Sequence, residues 1–255
     1  MVKQDIKIKL DQLVEVYNNK GFIKDDPISI PHQFKNKLDI EVIGLLICTL
    51  AWGNRKSIIN SGNKLISIME NSPYEFIMNY EEKNFLKLDF KHRTFNSFDL
   101  HFFFIRLKFL FEKYKSLENI FLKGFKNKKN SLYAIYNFRK EFLGEYQNEI
   151  RTKKHVANPK SGSAAKRINM FLRWMVRNDN KGVDFGIWNK IQPNQLSCPL
   201  DVHSGNSARK LGLIVRKQND WKTVEELDKV LRLFDPNDPT KYDFALFGWG
   251  IDQKK

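Results

Sequence analysis

Apolar side chains along this chain recur at helical rather than strand-like spacing, and the elements they outline are nearly all α-helical. A weak amphipathic segment, Ile6 to Asn18, gives way to a loop around Pro27 and Pro31. Asp39 to Ala51 is dominated by apolar residues, the pattern of a helix buried on all sides. It runs into a polar and aromatic turn, Trp52-Gly53-Asn54-Arg55-Lys56, and Ser57 to about Glu70 forms a further helix. Asn71-Ser72-Pro73 opens the next one, with proline in the first turn, where its missing N–H costs nothing. Asp99 to Lys115 is long and rich in phenylalanine, and Ser131 to Phe142 follows. From Gly144 to Ser163 the periodicity lapses into polar, basic sequence.

Periodicity returns at Ala164 to Arg177. At about 100° per residue, Ala165, Ile168, Phe171, Leu172 and Met175 share one side, and Lys166, Arg173 and Arg177 line the other. This predicts an amphipathic helix with a cationic stripe. A loop through Asn178-Asp179-Asn180 and Pro193 leads to Leu200-Asp201-Val202-His203, which starts a helix stopped by Gly212. Thr223 with Glu226 three residues on has the form of a capping box. Asp235 to Pro239 is a loop, and Tyr242 to Gly248 a last short helix. No internal repeat is visible, and the fold class is all-α.

Charge changes this picture. The 255 residues carry a formal net charge of +15, with a sequence pI near 9.6. Such a field draws polyanions. A composition rich in Lys, Asn, Ile and Phe also follows from AT-rich coding, so part of the basicity has a bland origin. Arginine is the better phosphate partner, because its planar fork binds two oxygens. Arg167, Arg173, Arg177, Arg209 and Arg216 fall in one stretch of sequence. Cys48 and Cys198 are too few for a disulfide framework or a cysteine cluster, which suits a reduced, cytoplasmic protein. The amphipathic start lacks a signal-peptide core, and no apolar stretch is long enough for a membrane span. The five histidines are scattered, so no metal site is expected, and no cofactor is implied.

Four stretches, taken in order, resemble the helix-hairpin-helix DNA glycosylase superfamily, whose members include endonuclease III-like and 8-oxoguanine glycosylases. Ile47-Cys48-Thr49-Leu50-Ala51-Trp52-Gly53-Asn54 is similar to the family's early helix and DNA-intercalating turn. Gly162 to Met175 stands where the second helix of the hairpin belongs. Pro199-Leu200-Asp201-Val202-His203 resembles the segment carrying the catalytic aspartate. Val224-Glu225-Glu226-Leu227, Phe234-Asp235-Pro236 and Tyr242-Asp243-Phe244-Ala245-Leu246-Phe247-Gly248 follow the closing pattern. The resemblance covers about Asp39 to Ile251, and the whole also looks like an uncharacterised bacterial family of unknown function with the same motifs.

The resemblance implies a two-lobed helical region, residues 39–255, behind an N-terminal extension, residues 1–38, with double-stranded DNA in the cleft and a monomeric enzyme. It implies that Asp201 stabilises the oxocarbenium-like charge formed as a damaged base leaves. Aspartate is also a preferred helix cap, so Asp201 has a purely structural reading as well. Trp52, Asn54 and Arg55 would fill the space of a flipped base, or Trp52 would simply anchor the turn. Lys160 and the backbone N–H groups of Ser161, Gly162 and Ser163 would meet phosphate, as would Arg167, Arg173 and Arg177. His203 would touch phosphate or orient the site.

The sequence departs from the family in its hairpin. Asn158-Pro159-Lys160-Ser161-Gly162-Ser163 replaces Leu-Pro-Gly-Val-Gly. Superposition on Gly162 puts Ala164 where bifunctional members carry a nucleophilic lysine. Lys166 comes two residues late; it is a catalytic candidate as a Schiff-base nucleophile if Arg167 and Arg173 lower its pKa, and the register suits a phosphate contact better. The expectation is therefore a monofunctional glycosylase. The alternatives are a non-catalytic nucleic-acid-binding protein with the same fold, and a helical scaffold whose basicity comes from coding bias.

Overall fold

The computed structural model describes residues 3–126, 130–147 and 149–253. After α1 (Lys3–Tyr17) and three short 3-10 turns, the apolar segment forms α2 (Lys37–Leu50). Asn36 caps it by accepting the Leu38 N–H at 2.8 Å. Ile40 to Leu50 are all buried, so α2 has no solvent face beyond its first turn. Its one buried acid, Glu41, is matched by three donors: Ser116 Oγ at 2.7 Å, Leu117 N at 2.8 Å and Trp188 Nε1 at 2.8 Å. Burial still pushes its carboxyl upward.

Around this hub lie α3 (Arg55–Ile68), α4 (Pro73–Asn79), a two-residue antiparallel pair β1 (Lys91–His92) and β2 (Phe95–Asn96), α5 (Ser97–Tyr114), α6 (Leu117–Phe125) and α7 (Leu132–Leu143). The packing runs α2 on α4, α4 on α5, and α5 on both α6 and α7. Helix α8 (Lys166–Val176) lies directly on α2 at Gly44, where a Cβ would meet Met175 at 3.2 Å and Phe171 at 3.4 Å. A glycine there lets the two helices approach closely. The chain finishes with α9 (Val202–Lys210), α10 (Trp221–Phe234) and α11 (Tyr242–Asp252).

Helix α11 packs on α9 and on α1, so the first helix closes against the last. The clasp is specific: Tyr242 Oη donates to Asp11 at 2.9 Å and Tyr17 Oη to Asp252 at 2.6 Å. A Cβ at Gly248 would run into the Tyr17 ring. Among the described residues, no helix is long and apolar enough to cross a membrane.

The fold is predominantly helical, as the periodicity predicts, with differences at the caps. Helix α10 starts at Trp221 because Asp220 accepts the Thr223 N–H at 3.0 Å. The expected Thr223–Glu226 box does not form, since Glu226 accepts the Val215 N–H at 2.8 Å instead. Helix α6 and the β1–β2 pair were not predicted, and a two-residue strand is too short to show alternation.

Helix α5 is anchored by reciprocal bonds between Asn96 and Asp99, of 3.1 and 3.2 Å. Asp99 also accepts from Thr152 Oγ1 at 2.7 Å and pairs with Arg151 at 2.6 Å. Burial works against its charge, but His155, the Thr152 hydroxyl and the Asn96 N–H outweigh burial and hold the carboxyl at about 2. A depressed folded-state pKa contributes stability that is present above about pH 4 and is lost as pH falls toward 2. Asp99→Asn, which keeps a capping side chain, is expected to melt several degrees below wild type at neutral pH. That deficit should close as the pair is titrated into acid. A deficit independent of pH would mean that the Asp99 charge contributes nothing.

Candidate active site

One cavity of about 510 Å³ opens where the turn after α2, the start of α8, the start of α9 and α11 meet the 3-10 turns that follow α1. Asp201 stands at its edge as the N-cap of α9. Its Oδ1 accepts the N–H groups of His203 at 2.8 Å and Ser204 at 3.0 Å, and its own N–H donates to Ser204 Oγ at 2.9 Å. The carboxylate is thereby fixed in orientation. Its other oxygen, Oδ2, lies 3.6 Å from Lys166 Nζ. One oxygen of Asp201 serves the helix, and the other is left for the cavity.

Lys166 is the first residue of α8, so its side chain leaves the helix toward the cavity instead of along an exposed stripe. Its amine lies 3.7 Å from Met170 Sδ and 5.6 Å from the Phe247 ring centroid. The register argument that sets Lys166 apart from the site is corrected here. The hairpin takes its own course through left-handed residues Gly162 (φ 91°) and Ala165 (φ 49°), and α8 starts later than the superposition assumes.

Aromatic side chains form the walls. Trp52 stacks on His155 at 5.7 Å, meets His92 edge-on at 5.1 Å, and carries the Arg167 guanidinium 4.9 Å above its ring. Arg167 in turn donates to the Thr49 carbonyl. Trp52 is thus held as a wall of the cavity. Phe247 receives the edges of Phe22 and His203 and lies 5.3 Å from the Arg55 guanidinium. The buried Nδ1 of His203 has no hydrogen-bond partner among the described residues. Asn54 is exposed outside this cavity and caps α3 through the Ser57 N–H at 3.3 Å.

The cationic stripe is the larger correction. Arg173 and Arg177 are 3% and 2% exposed, so neither can reach a phosphate. Arg173 pairs with Asp184 and Asp243, and Arg177 with Asp179, Asp184 and Asp238. A helical projection assigns polar residues to solvent. Here the loop after α8 and the start of α11 supply carboxylates that cover them. Burial pushes the Asp243 carboxyl up to about 6 against the pull of Arg173 and Lys166.

The Ser161-Gly162-Ser163 turn is exposed, as a phosphate contact requires, but its N–H groups are already used. Ser161 and Ser163 donate to the Asn158 carbonyl at 3.1 and 3.3 Å, and Gly162 to Pro159 at 3.0 Å. Lys160 is exposed, with its amine 3.7 Å from the Tyr136 ring centroid. Lys160, Ser161, Gly162 and Ser163 do not line the cavity that holds Asp201.

Asp243, Phe247 and Asp26 are among the cavity residues that the sequence reading did not single out. Asp243 and Phe247 are four apart on α11, one face of the closing motif, and that spacing was a legible signal. Asp26 lies in the proline-containing loop, and nothing in the sequence singles it out. Among the described residues, no group of three or more His, Cys, Asp or Glu side chains is arranged to hold a metal ion.

The chain matches the family described as protein of unknown function DUF2400 over residues 26–252. It belongs to that family. No curated protein and no solved structure matches it. The DUF2400 span takes in every side chain lining the cavity except Phe22, so the cavity is part of what the family model describes.

Proposed function

We propose that this DUF2400 protein is a base-excision N-glycosylase acting on a damaged or mismatched base extruded from double-stranded DNA, with its helices forming two lobes of the helix-hairpin-helix glycosylase type around the cleft. The observation that carries the reading is Asp201: a carboxylate locked by its helix, with one oxygen turned to an aromatic-walled cavity of about 510 Å³. Such a space accepts a flipped base, and aromatic walls stack on it. As the C1′–N bond breaks, its electron pair leaves with the base and C1′ becomes positive. Asp201 Oδ2 faces that charge and takes a proton from the water that adds to C1′. Lys160, Arg55 and Arg167 remain the candidates for phosphate contact.

A second reading is favoured by one distance, the 3.6 Å between Lys166 Nζ and Asp201 Oδ2. In this reading Asp201 takes a proton from the amine, which attacks C1′ in place of water as the base leaves; opening of the sugar ring gives an imine, and loss of a C2′ proton then expels the 3′ phosphate and nicks the strand. One experiment addresses both readings. Duplexes bearing a panel of damaged bases are incubated under single-turnover conditions, then treated with alkali, with parallel samples in borohydride. The expected result is an alkali-labile abasic site for at least one base, without a trapped adduct. A trapped adduct lost in Lys166→Ala assigns the nucleophile to Lys166. Tight duplex binding with no base released from any substrate would leave a non-catalytic binding protein.

A further inference from the structure

Asp26 lines the same cavity and is unaccounted for by this chemistry. Its side chain is 6% exposed. Oδ1 accepts the Ile28 N–H at 3.0 Å, within its own 3-10 turn. No side-chain donor bonds to it and no ion pair involves it among the described residues, although Arg173, Arg55 and Lys166 are near enough to favour its charge. Burial dominates all three and pushes the carboxyl upward. A buried carboxylate short of donors is costly, and the one hydrogen bond the fold gives it is a turn cap that asparagine or serine would supply equally. The missing donors are therefore to be sought in what enters the cavity.

We propose that Asp26 selects the base: its carboxylate accepts N–H donors from the edge of a flipped nucleobase, so the site favours bases that carry an exocyclic amine over their keto counterparts. The inference rests on the base-excision reading for the identity of the ligand. The chemistry of the choice is direct. A carboxylate is acceptor-only, and an amino group is donor-only at that edge. Replacing the amine by a carbonyl sets oxygen against oxygen, and the ring N–H that the keto base gains lies one atom away, out of line with a carboxylate placed for the amine. Pockets built around one hydrogen-bonding group reject analogues that lack its partner far more strongly than apolar pockets reject an extra methylene. The aromatic walls bind any base by stacking and do not tell an amine from a carbonyl.

The test uses the full chain and duplexes carrying one adenine, hypoxanthine, cytosine or uracil opposite an abasic gap, where flipping is easy. Each amino base is compared with its keto partner by equilibrium binding, and any released base is scored in the same samples. The wild type is expected to bind adenine over hypoxanthine and cytosine over uracil by about tenfold or more. Asp26→Asn and Asp26→Ser, both able to cap the turn, should bring both ratios close to one while melting near wild type. A wild type without preference, or one that prefers the keto bases, overturns the proposal before any variant is made. Ratios unchanged in a folded variant overturn it too. The two readings fail separately: an amino preference in binding without base release counts against catalysis alone, and base release without an amino preference counts against Asp26 alone.

Discussion

Asp201→Asn is expected to excise its base at least about a hundredfold more slowly than wild type, equivalent to about 3 kcal/mol in the transition state. The substitution isolates charge from structure. Asparagine is close in size and is itself a preferred N-cap, so it can still accept from the N–H groups of His203 and Ser204, and α9 should start where it does now. What is lost is the anionic oxygen 3.6 Å from Lys166 that, in the proposed reaction, faces the developing positive charge at C1′. Duplex affinity should hold or rise slightly, because one repulsion with phosphate is gone. Single-turnover excision with melting temperature as the control makes the measurement. Excision at the wild-type rate would reduce Asp201 to a cap and remove the centre of the proposed function. A much lower melting temperature would instead show that the carboxylate charge holds α9 in place.

The largest effect on stability is expected from Arg173→Ala. The guanidinium bonds Asp184 at 3.2 Å through Nε and Asp243 through Nη1, and all three groups are buried. The pair as a whole is worth little, because desolvation offsets attraction. Removing one member is different, since it strands the buried Asp243 carboxyl, leaves Asp184 to Arg177 alone, and costs about 3–5 kcal/mol. Urea denaturation should show this as a lower midpoint with an unchanged slope. Arg173→Lys keeps the charge but loses the fork, and should fall between. The salt dependence of DNA binding should be the same in folded Arg173→Ala as in wild type, since the side chain does not reach the surface. Near-normal stability with a flattened salt dependence would return Arg173 to the interface.

The helical class and most helices were legible because burial of a stripe leaves a period in the sequence, as at Asp39 to Ala51, which the structure has as Lys37–Leu50. Asp201 was legible as a helix start for the same local reason. The misreadings share a cause. A period describes one element, whereas Arg173 and Arg177 owe their burial to Asp179, Asp184, Asp238 and Asp243 on other segments. Lys166 was misplaced because counting from Gly162 assumes a hairpin geometry that Ala165, with its positive φ, does not follow. Asp26 was invisible because two acids before a proline in a loop, Asp25-Asp26-Pro27, have no period of their own. Its character comes from the helices that close over it.

The clasp between α1 and α11 bears on when this protein can act. Phe247 and Asp243, one wall of the cavity, belong to α11, and α11 is braced from behind by Tyr17 and Asp11 of α1. More than two hundred residues separate these partners along the chain, at |i−j| values of 235 and 231. During synthesis, α1 leaves the ribosome long before the helix it must hold. A nascent chain that has already formed α2 through α8 therefore has Lys166 and Trp52 in place but no closed cavity. The cavity can close only after α11 is released from the exit tunnel, so translation that stalls late in the chain should yield a chain without the closed cavity.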